Sequence, residues 1–531
     1  MTTRLKSEDA IVLQFGGGIH SRASEDQINT RECSAGQNFV LTPGNSEFKP
    51  RPPFDLVGTL PNGAEVRGFA TLAKTDGTYS MLIQGADKVY SWDGLATFTE
   101  VGTCEATAKL RGPRQANWAL DDKVIISDLN LVDEIKEWDG TTFQETTFLQ
   151  SDKSTPFGAL RSRYARVVDE RLILANIHES SQAFEHVLVG SERGDYTVIS
   201  TGDRPASSLS EEDPWFLPTP QLRPINGLAE AYGVVVVSQE KGAFEKLTGS
   251  SAKDYALEKF FHGSAAAGRE AVTETDDDVF YGRGGRIESL QATDQFGDVE
   301  LADPSFHITP DIENYSSWSV HFNPRLRRLY CFPSGESECW VSQIDMLQGE
   351  LSSWAKWTTQ HPMAMQPTAS MVCYDPQDGL EYLFMGDASG NVYRMEGSGL
   401  NGDGGTASIK SSRRSVLFSA PVDSQVYDID GWLKHRKNLA LSMEICIKYS
   451  GEHVHDVSKT LSLTEVDFSN AYSASSYYGG NFYYGAQFEN RFIRKRFTAP
   501  GQSNDVQVEL EADTANTFAL SECGLHFQTA S

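Results

Sequence analysis

Two imidazoles in Glu452-His-Val-His455-Asp456 are the nearest this sequence comes to a metal-ligand pattern. Alternate residues of a strand share a face, and neutral imidazole binds zinc or copper. No third ligand follows at a familiar spacing, so the segment reads as an exposed turn. Asp387-Ala-Ser-Gly-Asn391 and Asn401-Gly-Asp-Gly404 resemble pieces of calcium loops but lack the closing bidentate Glu. Asp276-Asp-Asp278 gathers carboxylates in a turn, where neighbours point apart, and so serves the turn instead of sharing a proton. Gly282-Arg-Gly-Gly-Arg286 joins two apolar runs and opens no helix, which removes a phosphate-cradle reading. No Gly-x-Ser-x-Gly elbow occurs, and no cysteine has an activating neighbour. The expectation is no catalytic residue, no cofactor and no metal.

The cations are more suggestive. Arg413-Arg414, Lys434-His-Arg436-Lys437 and Arg491…Arg494-Lys495-Arg496 all fall in the last quarter of the chain. They read as contacts to DNA phosphates or to an acidic neighbouring subunit, set against the ordinary reading of a solvated strand face. Between them lies an aromatic–glycine stretch, Tyr477-Tyr478-Gly-Gly-Asn-Phe482-Tyr483-Tyr484-Gly485, a candidate mobile loop beside the glycine-rich linker 397–405. The chain as a whole is acidic: 531 residues carry 46 Lys and Arg against 73 Asp and Glu, a net charge of −27. That balance disfavours clamping nucleic acid but suits a wall past which DNA slides without sticking. Solvation of the surface is the plainer explanation of the same charge. At 39% hydrophobic residues the chain is a folded one of two to four units. No apolar run approaches the ~18 residues of a membrane helix. The polar opening Met1–Asp9 argues against secretory export, and seven scattered cysteines argue for a reducing compartment.

The elements that must position these residues are strands. A turn of Asp, Gly, Asn or Pro precedes an apolar run seven times: Ser80–Ile83, Lys123–Ser127, Arg171–Ala175, Val234–Ser238, Asp278–Gly282, Arg328–Phe332 and Glu381–Met385. Another strand follows several of them, as in Lys88–Trp92, Glu134–Trp138, Ala243–Leu247, Arg286–Leu290 and Asn391–Met395. Periods of ~40–50 residues with four strands each are those of propeller blades, which bury their faces only by packing against one another. Ser91-Trp-Asp-Gly-Leu-Ala-Thr-Phe98 approaches the blade turn of sialidase-type propellers, with Gly94 one residue early. Turns of that kind hold blades and do not catalyse. The fold expected is mainly β: a β-propeller of six or seven blades over 65–400, a C-terminal β-rich domain over 401–531, and an extended N-terminal wrapping segment over 1–64. Thr201–Pro224, with five prolines, reads as a loop or insertion between blades, and 397–405 as a loose linker.

Several words of the sequence resemble a known family. Phe15-Gly-Gly-Gly-Ile19, Ile28–Glu32, Gly36-Gln-Asn38-Phe-Val-Leu41 and Phe48–Pro53 follow the opening of phage tail proteins. Asp277–Gly282 through Ile287–Asp298 is similar to one of their blades. Tyr478-Gly-Gly, Tyr484-Gly485, Arg496-Phe497, Gly501, Val506–Leu510 and Phe518–Leu520 are similar to their closing β domain. Together they resemble the propeller-bearing tail nozzle (tail tubular protein B or DNA-stabilisation type) of short-tailed bacteriophages. The resemblance implies a virion protein assembled in the host cytoplasm: a homohexamer below the head-to-tail adaptor ring. It would hold tail fibres or spikes and conduct double-stranded DNA without sequence specificity or membrane insertion. The stretch 477–485 and linker 397–405 would then be gate candidates. Two other readings are a non-enzymatic propeller scaffold and a propeller glycan hydrolase or lyase. The last requires Arg, Glu and Tyr converging on the propeller axis.

Overall fold

The computed structural model describes residues 10–24, 27–42, 45–95, 97–200, 202, 208–262, 265–275, 278–292, 299–347, 352–397, 403–404, 407, 409–415, 418–419, 425–436, 441–450, 457–463, 492–503, 505–514 and 520–530. Seven four-stranded antiparallel units follow one another and make a β-propeller. Blade 1 is Val66–Ala73, Tyr79–Gly85, Lys88–Trp92 and Phe98–Thr103. Blade 2 has an inner strand split by a turn, Leu110–Gly112 and Asn117–Trp118, then Lys123–Asp128, Lys136–Trp138 and Phe143–Glu145. Blades 3 to 6 begin at Leu160–Val168, Ile225–Ala231, Val272–Glu274 and Trp318–Asn323. Blade 7 takes three strands from Ala369–Arg394 and its outer strand, Asp55–Thr59, from before blade 1. Seven apolar runs in the sequence are the second strands of these seven blades. Those strands are buried on both faces between neighbouring blades, which is why they read as continuous apolar words.

The closing strand at 55–59 corrects the expected propeller boundary at 65. Chain segments on either side of the propeller are corrected as well. Ala10–Gln14 pairs with Leu520–Ala530, which also pairs with Gln425–Arg436. Asn45–Pro50 touches the same strand, and Ala35–Gln37 pairs with Ile409–Arg414. The N-terminal segment is therefore no wrapping arm. It supplies strands to two six-stranded sheets whose remaining strands come from the C-terminal segment. Propeller and body share a core, since Leu13, Phe15, Phe39, Phe48, Val508 and Leu510 belong to one apolar cluster with residues of blades 4 to 7. Trp215–Pro218, within the stretch read as an insertion, is the outer strand of blade 3.

A buried polar hub fixes the joint. Asn38, with a positive φ of 57° that Asn tolerates, donates from Nδ2 to the Lys410 carbonyl (2.7 Å) and accepts from Thr358 N–H (2.7 Å). Arg51 donates from Nε to Asn38 Oδ1 (3.0 Å) and from Nη2 to the Thr358 carbonyl (2.8 Å). Its Nη atoms form a bidentate pair with Asp403, both side chains fully buried. Asp403 lies in the stretch expected to be a loose linker and in the word that resembled a calcium loop. Its oxygens instead serve Arg51, Thr359 Oγ1 (2.5 Å) and Phe54 N–H (3.3 Å). Gly397 and Gly404 donate N–H bonds to the Pro53 and Phe54 carbonyls (both 2.8 Å), so these parts of the linker are pinned. The triple glycine before Ile19 has a steric reason. Gly18 and Ile19 donate to the Ser352 and Trp354 carbonyls (2.6 and 2.8 Å), and a Cβ on Gly18 would collide with the Trp354 backbone.

Breaking a buried pair from one side leaves an uncompensated charge, which costs about 3–5 kcal/mol. Arg51→Met is therefore expected to lower unfolding stability by that amount in denaturant titration. Arg51→Met/Asp403→Leu is expected to lose less than the single variant, because no orphan charge remains. A single variant within about 1 kcal/mol of wild type contradicts the hub.

Candidate functional site

The inner strands of the blades bring charged residues to the propeller axis. Near the start of these strands, Lys109 of blade 2 and Glu270 of blade 5 form an ion pair, with Arg111 Nη1 3.5 Å from the other Glu270 oxygen. His321 of blade 6 lies beside them, buried, its Nε2 within 2.9 Å of Ser319 Oγ and 2.8 Å of Ser370 Oγ. Further along, buried Arg166 of blade 3 bridges Glu274 (2.5 Å) and Glu230 (2.6 Å), and Gln115 donates to Glu274 (2.7 Å). Arg114 pairs with Glu381 (2.9 Å). Each of these acids is thus engaged by a Lys or Arg. Tyr164 donates its hydroxyl proton to the Arg269 carbonyl (3.0 Å), so it is engaged as well. Beside the axis, between blades 3, 4 and 5, opens a cavity of about 440 Å³ that Arg163, Glu185, Asn226, Glu240, Lys241 and Arg269 help line.

The apolar second strands that mark the blades in the sequence do not carry this cluster. Residues facing the axis stand one hairpin earlier, on short or mixed inner strands such as Leu110–Gly112 and Val272–Glu274. Their charged partners are far away in sequence, 64 residues for Arg166 and Glu230 and 161 for Lys109 and Glu270. The signal available was a charged residue close before each second-strand word, among them Arg111, Arg166 and Glu274.

Residues expected from sequence to be functional fall into three groups. Tyr477, Tyr478, Phe482, Tyr483, Tyr484, Lys437, Arg491 and the segment Glu452–Asp456 lie outside the described residues. Arg413 and Arg414 are spent internally, which corrects their reading as contacts. Arg413 is buried, donates to the Arg31 carbonyl (2.6 Å), and lies over the Phe15 and Phe39 rings. Arg414 pairs with Glu509 (3.2 Å). The remaining cations sit on the body's sheet. Register places Lys434 opposite Arg494 and Arg436 opposite Phe492, with Arg496 opposite Trp432. Lys495 stands opposite Leu433 on the same pair of strands. Glu522 stands opposite Lys434 on the neighbouring strand. Like charges at opposite positions repel, so the Lys434–Arg494 register favours an acidic neighbour, whether Glu522 or an anionic partner.

Blade turns behave as read. Asp93 Oδ1 accepts from Leu95 N–H (3.0 Å), and Asp139 Oδ1 from Thr141 and Thr142 N–H (2.8 and 2.7 Å). Asp387 accepts from the Ser389 and Asn391 amides and from Tyr393, so it caps a turn. A further group, not singled out in the sequence, is His20, Glu32 and His307. Its donor atoms lie within 4.8 Å of one another where the N-terminal segment meets the connection between blades 5 and 6.

Fold and geometry together define a seven-bladed β-propeller carried on a two-sheet body built from both chain segments that flank it. No family model and no curated protein matches the chain. Among solved structures it is similar to the WD40 domain of Neurospora crassa Pan2, at 10% identity over 65% of this chain and 95% of that one, TM-score 0.39. It is also similar to the WD40 domain of Toxoplasma gondii coronin (14%, 68% and 87%, 0.36). A third is a catalytically inactive virginiamycin B lyase from Staphylococcus aureus (11%, 63% and 96%, 0.38). Likeness at this level concerns the fold and carries nothing about activity.

The axis makes a pH prediction. Burial alone would raise the Glu270 carboxyl, but Lys109 and Arg111 more than offset it and hold the group at about 2. Burial drives His321 down to about 3, against the pull of Glu270 and with help from Arg111 and Lys109. Both groups bind fewer protons folded than unfolded, so both add stability that is complete above their ordinary values and lost on acidification. Unfolding midpoints should fall from pH 7 towards pH 3. Glu270→Gln should flatten the decline below about pH 4.5, and His321→Gln the decline below about pH 6.5. Unchanged slopes in both variants would contradict the assignment.

Proposed function

We propose that this chain is a structural subunit of a phage tail nozzle: a homo-oligomer, expected to be hexameric, that forms the distal DNA channel. It retains packaged DNA and conducts it during ejection, and it performs no catalysis. The observation that carries the reading is the backbone register that sets Lys434, Arg436, Arg494 and Arg496 on two paired strands of the body, in a chain of net charge −27. Such a grouping of cations suits a phosphate backbone or an acidic neighbouring copy, and both fit a ring around DNA. The axis of the propeller is crossed by ion pairs, so in this reading DNA passes between copies and the propeller stands outside. The words on which the family resemblance rests also have structural work: Gly18, Asn38 and Arg51 join propeller to body.

A second reading, a propeller glycan hydrolase or lyase, is favoured by one observation. Arg111, Arg163, Tyr164, Arg269 and Glu270 do converge near the axis. Against it, Glu270 is neutralised by Lys109 and Tyr164 donates to backbone, so neither is poised as a general acid or base.

Negative-stain class averages of the purified full chain, together with antibody labelling of isolated virions, test the nozzle reading. The expected result is label confined to the tail tip, with six-fold rings of the chain alone or on the adaptor. Monomeric propellers and unlabelled virions would overturn it.

A further inference from the structure

We infer that His20 and His307 form a binding site for a divalent transition-metal ion such as Zn²⁺, with Glu32 orienting His20. The site ties the N-terminal segment to the connection between blades 5 and 6.

All three residues are held by backbone bonds before any ion arrives. His20 N–H donates to the Cys33 carbonyl (2.9 Å), and Cys33 N–H returns a bond to the Gly18 carbonyl (3.1 Å). Ser21 and Arg22 both donate to the His307 carbonyl (3.0 and 3.2 Å). Glu32 is 4% exposed, and its Oε1 accepts from Ser352 N–H (2.6 Å). Its second oxygen lies 3.1 Å from His20 Nδ1, its one ion-pair partner among the described residues. On the far side of that ring, His20 Nε2 lies 3.1 Å from His307 Nδ1, with the rings edge to face and centroids 4.3 Å apart.

That order of groups is informative. Glu32 accepts the Nδ1 proton of His20, which fixes the tautomer and leaves Nε2 as an acceptor; His307 Nδ1–H donates to it without metal, and an ion would take the place of that proton between the two nitrogens. A carboxylate bonded to the outer nitrogen of a ligand histidine is the usual arrangement behind metal-bound imidazole. Two nitrogens bound tetrahedrally at about 2.05 Å stand about 3.3 Å apart, close to the spacing here. Imidazole nitrogen selects Zn²⁺, Cu²⁺ or Ni²⁺ over Mg²⁺ or Ca²⁺. With two protein ligands the ion keeps solvent in its other positions. Asp303 adds negative charge near His307, whereas Arg22, stacked over Phe306 at 3.7 Å, and Arg413 near Glu32 oppose it. An open site of moderate affinity follows.

Chelator-treated full chain titrated with ZnCl₂ by calorimetry, and melted with and without Zn²⁺, decides the matter. One ion per chain should bind at this site and raise the melting temperature. His307→Ala should abolish both effects, and Glu32→Gln should weaken binding ~10–100-fold, as loss of a ligand-orienting carboxylate does. His455→Ala is the control for the separate His pair at 453 and 455 and should leave this binding unchanged. Circular dichroism and gel filtration of His307→Ala without metal establish that it folds. Folded wild-type chain that takes up no Zn²⁺, or wild type and His307→Ala binding alike, overturns the site.

Discussion

The Arg51–Asp403 pair is the constraint on which the rest depends. It is fully buried, so neither partner can be removed without leaving a charge in an apolar interior. It also joins four stretches of chain: the N-terminal segment, the outer strand of blade 6 at Thr358, the entry into blade 7's closing strand, and the segment leaving the propeller. A propeller whose last blade is closed by a strand from before its first needs both ends of the segment brought to one place. The hub does that, and Asn38, in a left-handed conformation, completes it by bonding Lys410 and Thr358.

Propeller architecture was legible in the sequence for a physical reason. Second strands lie between blades, buried on both faces, so runs such as Val234–Ser238 must be apolar throughout. Turn chemistry is local, and Asp93-Gly94 and Asp139-Gly140 show it directly. What escaped was everything held by distant partners. Ala10–Gln14 becomes a strand only by pairing with Leu520–Ala530, and Asp403 is held by Arg51, Thr359 and Phe54, all distant in sequence. A glycine-rich run with an acid inside it looks loose until its cation is known. The axial ion pairs were hidden for the same reason, and so was the group of His20, Glu32 and His307.

Charge is distributed in a way that the composition conceals. Inside the propeller, Glu230, Glu270, Glu274 and Glu381 are each engaged by Lys or Arg near the axis. Arg413 and Arg414, which read as a basic surface, are absorbed by the joint. Lys434, Arg436, Arg494 and Arg496 stand on paired strands that lie in the body and not in the propeller. In the proposed nozzle this division of labour separates a rigid outer module from the sheets that face neighbouring copies or DNA. That separation requires propeller and body to hold together as one unit while DNA moves past.

Backbone hydrogen exchange read by mass spectrometry measures that unity directly. The amides of Ile19, Asn38 and Gly404 bond to the Trp354, Lys356 and Phe54 carbonyls at 2.7–2.8 Å. If the hub binds body to propeller, peptides carrying these amides will exchange as slowly as the second strands of blades 6 and 7, opening only with the whole fold. Exchange at these three positions orders of magnitude faster, with the blades still protected, would contradict the account.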